Sequence, residues 1–375
     1  MAGLYLHIPF CKQACHYCDF HFSTRQDSKL QLVEAMCMEL GLQKDYLGKE
    51  AVETIYLGGG TPSLLNEREL EEIFTSIRKN FDVSETAEIT LEANPDDLSF
   101  NNLQVMKKVG VNRLSIGIQS FDDRILKFLN RAHSAREATD CVHQSRIAGF
   151  NNISIDLIYA IPSQNDDLWK KNIEQAIAIS PEHISAYSLT IEEKTVFGNW
   201  LKKGKLKSES DEAAAIQMEI LMDLLSHAGY EQYEISNFCK PNFHSRHNSS
   251  YWKQQKYLGI GPSAHSYNGS SRQYNIRNNA LYIQSMERSK IPSELENLSH
   301  ANHINEYLLT TLRTIWGCNL DYLTERFNFD LLVERKKEIG QFQLLGLIEK
   351  KENVLVLTRR GKLLADKIAS DLFVE

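Results

Sequence analysis

Residues 11–22 read CKQACHYCDFHF and bring Cys11, Cys15 and Cys18 together with His16 and His21 in one short loop. Thiols and imidazoles this close in sequence can serve as ligands. The C-x3-C-x2-C spacing leaves four readings open: disulfides, a zinc site, an iron–sulfur cluster or plain core thiols. A zinc site would add His16 or His21 to the three cysteines. A cluster would place the thiolates on three irons of a 4Fe–4S unit and leave the fourth iron open to an exchangeable ligand. The chain holds seven cysteines, an odd number. Its start lacks the basic and apolar pattern of a secretory leader, so the expected compartment is the cytoplasm, where structural disulfides are disfavoured. Metal chemistry is therefore the favoured use of the loop.

Further residues of the same kind follow at intervals. Gly58-Gly59-Gly60-Thr61-Pro62 ends an apolar run without side chains, so backbone can approach a ligand closely; a tight turn is the alternative. Glu92 and Asn94 close the run AEITLEANP, where Glu92 could equally be a helix-start carboxylate. Gln119 is an amide in the apolar LSIGIQSF and needs partners if buried. Arg131 offers a fixed fork for a carboxylate, and Asp156 is a carboxylate inside an apolar run. Arg131 and Asp156 could also form a structural ion pair. Later in the chain, His247-Asn248-Ser249-Ser250-Tyr251-Trp252 sets a histidine near two aromatics. A heme site would need such an axial nitrogen and flat faces, although a loop histidine beside a packing tryptophan is the plainer reading. Cys239, Cys318, His7 and His265 are second-rank candidates.

These residues need a frame. Six apolar or β-branched runs, at 3–10, 53–60, 87–95, 113–121, 152–162 and 182–191, alternate with amphipathic stretches such as Leu30-Leu32-Val33-Met36-Leu40 and Leu70-Ile73-Phe74-Ile77. A strand–helix pitch of this kind predicts a parallel sheet in an α/β fold. The candidate residues stand at or just past the C-terminal ends of successive strands. That distribution favours a partial (β/α)6 TIM-like barrel over an open doubly wound sheet. Residues 1–235 form this expected core, and 236–300 read as an aromatic and histidine-rich connecting segment. Residues 301–375 read as helices followed by a hairpin and a last helix, a smaller α+β winged-helix-like domain.

Composition narrows the function. A net charge of −7, with 42% hydrophobic and 24% charged residues, describes an ordinary globular protein and argues against general nucleic-acid affinity. Lys and Arg alternate with Glu in the C-terminal domain, so DNA binding is not expected there. No apolar run is long enough to span a bilayer.

The blocks YLHIPFCKQACHYC, LGGGTPS, LEANPD, RLSIGIQSF, LNRAH and IDLIYAIP, taken in order, resemble the oxygen-independent coproporphyrinogen III oxidase group of radical S-adenosylmethionine proteins over essentially the whole chain. The resemblance implies a 4Fe–4S cluster on Cys11, Cys15 and Cys18. Its open iron would bind S-adenosylmethionine, and one electron would cleave the C5′–S bond. It also implies two S-adenosylmethionine positions, the first contacted by Tyr5, Gly59 and Glu92, the second by Gly60, Thr61, Gln119, Arg131 and Asp156. Two departures set the chain apart from the oxidases. Phe20 stands where they carry a further cysteine, and the first strand begins within a few residues of Met1, where they have an extension over the active site. HNSSYW followed by YLGIGPSAHSY is similar to the heme-chaperone branch of the group. That branch implies heme, held at His247, Tyr251 and Trp252, and heme-acceptor proteins as partners, with no nucleic acid. The enzyme alternative is a coproporphyrinogen dehydrogenase. Homodimer formation, and peripheral membrane contact through acceptors, stay open.

Overall fold

In the computed structural model, which describes residues 2–375, the six expected strands all form. They are β1 (Ala2–Ile8), β2 (Val52–Gly59), β3 (Val83–Ala93), β4 (Arg113–Gln119), β5 (Ile153–Tyr159) and β6 (His183–Ser188). Each pairs in parallel with the next, and the order never reverses. An unreversed parallel order is that of a barrel rather than a doubly wound sheet.

Strand alternation sorts the side chains. Leu4, Leu6 and Ile8 of β1, Ile55 and Leu57 of β2, and Leu114, Ile116 and Ile118 of β4 are buried on the outer face. Helices cover them. The helix Glu67–Asn80 buries Leu70, Ile73, Phe74 and Ile77 and starts with a reciprocal cap between Asn66 and Glu69. Each such side chain contributes roughly 1.5–3 kcal/mol on leaving water. In the helix Lys29–Leu42, Leu32, Val33, Met36 and Leu40 are buried, but Leu30 lies off the stripe and is 41% exposed. The registers set the intervening residues side by side on the inner face: Tyr5 by Tyr56, Tyr56 by Thr90, Thr90 by Arg113, and Asp156 by Ser185. A closed barrel packs branched apolar side chains there. Here the interior is polar, and the barrel stays open.

Residues 236–300 are not a separate connector but part of the main sheet. β7 (Glu231–Glu234) and β8 (Asn237–Cys239) extend it beyond β6, with β8 antiparallel to β6. At the other edge, β9 (Lys256–Ile260) pairs in parallel with β1 and makes a seventh parallel strand. β10 (His265–Tyr267), β11 (Ser271–Asn275) and β12 (Ser293–Asn297) follow as an antiparallel extension. The polar, glycine-containing sequence hides these short strands, because their partners are distant in the chain.

The C-terminal unit has its own apolar core, from Ile304 to Leu372. Helices His300–Leu312, Leu320–Phe327 and Lys336–Leu344 precede the hairpin Ile348–Lys351/Val354–Leu357, which the short strand Cys318–Asn319 completes as a small antiparallel sheet. Ile235 packs against both cores, and Arg313 pairs with the buried Glu234 at 3.1 Å. Among the described residues no helix is long and apolar enough to cross a membrane.

Candidate functional site

The cysteine loop leaves β1 through Pro9 and Phe10 and returns to the same place. Ser23 donates its backbone N–H to the Pro9 carbonyl at 2.7 Å, and Cys11 donates to the Ser23 carbonyl at 3.0 Å. Asn130 Nδ2 donates to the Ala14 carbonyl at 2.7 Å and pins the middle. Cys11, Cys15 and Cys18 then face one cavity of about 590 Å³ at the C-terminal ends of the strands. Thr61 Oγ1 donates to Cys11 Sγ at 3.5 Å, and Arg131 Nη1 to Cys15 Sγ at 3.4 Å. Burial pushes the Cys18 thiol up to about 12 and the Cys11 thiol upward as well.

The histidines of the loop turn away from the thiols. His16 Nδ1 pairs with the Phe128 carbonyl at 2.9 Å, with its ring against Trp200, and His21 Nε2 pairs with Asn279 Oδ1 at 2.7 Å. Among the described residues no three His, Cys, Asp or Glu side chains gather as ligands of a single ion do. The zinc reading with His16 or His21 is therefore not built. A cluster asks for a different arrangement, since each thiolate holds its own iron.

Gly59, Gly60, Thr61, Glu92, Gln119, Arg131 and Asp156 line the same cavity. Gly59 has φ +102°, and a Cβ there would meet the His7 ring at 2.5 Å. At Gly60 it would meet Phe10 and Ile8 backbone atoms at 2.7–2.8 Å. Neither place admits a side chain. Glu92 accepts from Tyr56 Oη at 2.7 Å and from the Gly59 N–H at 3.1 Å. Burial, with Asp156 adding repulsion, still pushes its carboxyl up to about 7. Burial brings Asp156 up to about 6. Gln119 ends β4 with φ +65°, a left-handed conformation that costs a non-glycine residue energy and is typical of functional sites.

Arg131 donates through Nη2 to Asn94 Oδ1 and to the Gly117 carbonyl, both at 2.6 Å. The structural ion pair with Asp156 does not form. Buried Nε of Arg131 has no partner. Nor has Nε of Arg113, a residue 1% exposed that lines the cavity deeper in the barrel without a hydrogen bond or ion pair to any described residue. The sequence reading overlooked Arg113; its signal is an arginine at an inward position of an otherwise apolar strand.

A second cavity, of about 530 Å³, opens beside the first, and Asp19 and Phe20 belong to both. Its walls include Tyr251 and Trp252 from the helix Arg246–Trp252, Tyr257 of β9, His265 and Tyr267 of β10, and Glu306 and Thr310 of the C-terminal unit. Tyr5 lines this second cavity rather than the thiol cavity, because its hydroxyl turns to His7 Nδ1 at 3.0 Å. It reaches the thiol side only by stacking on Tyr56, at 6.2 Å.

Protein-family models match the chain in two places. One described as the Radical SAM superfamily covers residues 5–176, and one described as the HemN C-terminal domain covers 298–364. A Bacillus subtilis protein named heme chaperone HemW is 34% identical over 98% of both chains. A Lactococcus lactis protein of the same name is 37% identical over 92% of this chain and 89% of its own. The chain belongs to the HemW family. The solved structure of coproporphyrinogen III oxidase (HemN) from Escherichia coli, 22% identical, covers all of this chain and 90% of that one with a TM-score of 0.85, which shows a shared fold.

In this member of the HemW family the expected heme-face residues divide. Tyr251 and Trp252 line the second cavity, but His247 does not. His247 is 1% exposed, with Nδ1 paired to Thr54 Oγ1 and Nε2 to Tyr251 Oη, both at 2.8 Å. Its ring stacks on Tyr56 at 5.0 Å, and burial lowers its pKa to about 3. Both nitrogens are engaged within the protein, and the start of the same helix is fixed by Glu88, which accepts the N–H groups of Arg246 and His247 at 3.0 Å. Cys239 and Cys318 are 0% exposed and line neither cavity.

Proposed function

We propose that the chain is a heme chaperone that holds heme in the aromatic cavity and passes it to acceptor proteins. In this reading Cys11, Cys15 and Cys18 carry a 4Fe–4S cluster, and S-adenosylmethionine sits beside it among Gly59, Gly60, Thr61, Glu92, Gln119, Arg131 and Asp156. One observation carries the reading: a three-thiol cavity and an aromatic, histidine-bearing cavity meet at Asp19 and Phe20 in a chain of the HemW family.

The residues suit these groups. Gly60 leaves room where a side chain would strike the Phe10 backbone, and the orphaned Nε atoms of Arg131 and Arg113 await an anionic partner. When bound, a 4Fe–4S cluster with S-adenosylmethionine supplies one-electron chemistry at the sulfonium. Glu92 is already fixed by Tyr56 and Gly59 and can meet a ribose hydroxyl or an amine without reorganising. Arg131 is locked by Asn94 and Gly117 and orients a carboxylate toward the thiol rim. Phe20, 70% exposed, offers no thiol or proton at the junction of the cavities, which disfavours oxidative decarboxylation of a porphyrinogen.

The test is anaerobic cluster reconstitution followed by paired assays of heme binding and of porphyrinogen turnover with S-adenosylmethionine and reductant. Cluster absorbance, stable heme binding and no protoporphyrinogen are expected. Turnover to protoporphyrinogen would replace the chaperone with an oxidase.

A further inference from the structure

The aromatic cavity contains a histidine to which no described residue bonds. His265 opens β10 and stacks on Tyr274 at 5.7 Å, and neither of its ring nitrogens has a hydrogen-bond partner among the described residues. The neighbouring histidines are committed. His7 uses both nitrogens, on Tyr5 and on the His21 carbonyl; His21 gives Nε2 to Asn279; His247 lies outside the cavity.

Strand register builds the surroundings. His265 stands opposite Tyr274, Tyr267 opposite Arg272, and Tyr267 also opposite Tyr257. Directly opposed residues share a face, so His265, Tyr257, Tyr267 and Arg272 look into one flat-walled space. Arg277 joins from just beyond β11. Arg272 pairs with Glu306 at 3.0 Å, and Arg277 Nη2 donates to the Asp19 carbonyl. Each guanidinium carries five N–H donors and keeps some to spare. A ligand with an iron centre, a flat apolar body and two carboxylates matches this set.

We propose that His265 is the iron ligand of heme in this cavity and that Arg272 and Arg277 receive its two carboxylates. The assignment rests on the heme-chaperone reading and names that site's contacts.

Titration with heme and with metal-free protoporphyrin IX separates ligation from cavity shape. His265→Ala should lower heme affinity about tenfold or more and move the Soret band. Its affinity for the metal-free porphyrin should stay within about twofold of wild type, and added imidazole should restore the Soret position. Arg272→Gln with Arg277→Gln should weaken both porphyrins. His247→Gln should leave the Soret band in place. Unchanged heme affinity and spectrum in His265→Ala would overturn the assignment alone, as would equal weakening of both porphyrins without imidazole rescue. Wild-type protein that binds no heme would overturn the chaperone reading and this assignment with it.

Discussion

Glu92 is a carboxylate in a place that disfavours its charge. Burial and Asp156 outweigh the hydrogen bonds from Tyr56 and Gly59 and the charge of Arg113, and the carboxyl rises to about 7. The folded state therefore holds its proton where the unfolded chain has released it. Between the ordinary glutamate value, about 4.3, and about 7, the folded form loses stability as pH rises, and the loss is complete above that window. Glu92→Gln removes the effect. In cluster-free protein the variant should gain roughly 3 kcal/mol on wild type between about pH 4 and pH 8, read from denaturant midpoints at the two pH values. The amide also forfeits the bond from Gly59, but that cost is the same at both pH values, so the difference reports the carboxyl. Under the proposed function the same variant binds S-adenosylmethionine more weakly, which makes Glu92 a residue kept for its site at the expense of stability.

At the scale of elements, the exit of β1 and the end of β2 are locked together. The Gly60 N–H donates to the Ile8 carbonyl at 2.9 Å, and a methyl at Gly60 would collide with Ile8 and Phe10 backbone atoms. Backbone cannot swing aside as a flexible side chain can, so Gly60→Ala must displace the strand exit that carries Cys11. A loss of about 1–3 kcal/mol is expected, with fewer irons per chain after reconstitution under the proposed function, checked by thermal melting and iron analysis. Gly340→Ala is the counterpart. It lies in the helix Lys336–Leu344 with nothing within 4 Å of an added Cβ. That substitution should raise stability by about 0.5–1 kcal/mol and leave iron content unchanged.

At the scale of the molecule, the two cores meet along a seam in which Ile235 donates its N–H to the Arg313 carbonyl, Arg359 pairs with Asp223 and Trp316 packs on Tyr233. Arg313 donates to Glu234, pairs with Asp366, and lies over the Trp252 ring at 5.7 Å. Glu234 is 1% exposed and keeps Ser236 and Asn237 as donors. Arg313→Ala should therefore cost about 2 kcal/mol and split one calorimetric transition into two, the C-terminal unit melting first. Glu306 and Thr310 belong to that unit, so under the proposed function heme retention should fall with the first transition. A single cooperative transition in Arg313→Ala would show that the cores are coupled by other contacts.

Much of the site was readable without coordinates. Spacing alone identified the three-thiol loop, and β periodicity put Gly59, Glu92 and Gln119 at the carboxyl ends of successive parallel strands and Asp156 within the fifth, because right-handed crossovers bring such ends to one rim. Tertiary structure decided what each side chain meets. It closed His247 between Thr54 and Tyr251, turned Tyr5 toward the second cavity, left Arg113 unpaired and wove residues 256–297 into the sheet. Those outcomes depend on partners as far apart in sequence as Ala2 and Lys256, whose contact energies no local pattern contains.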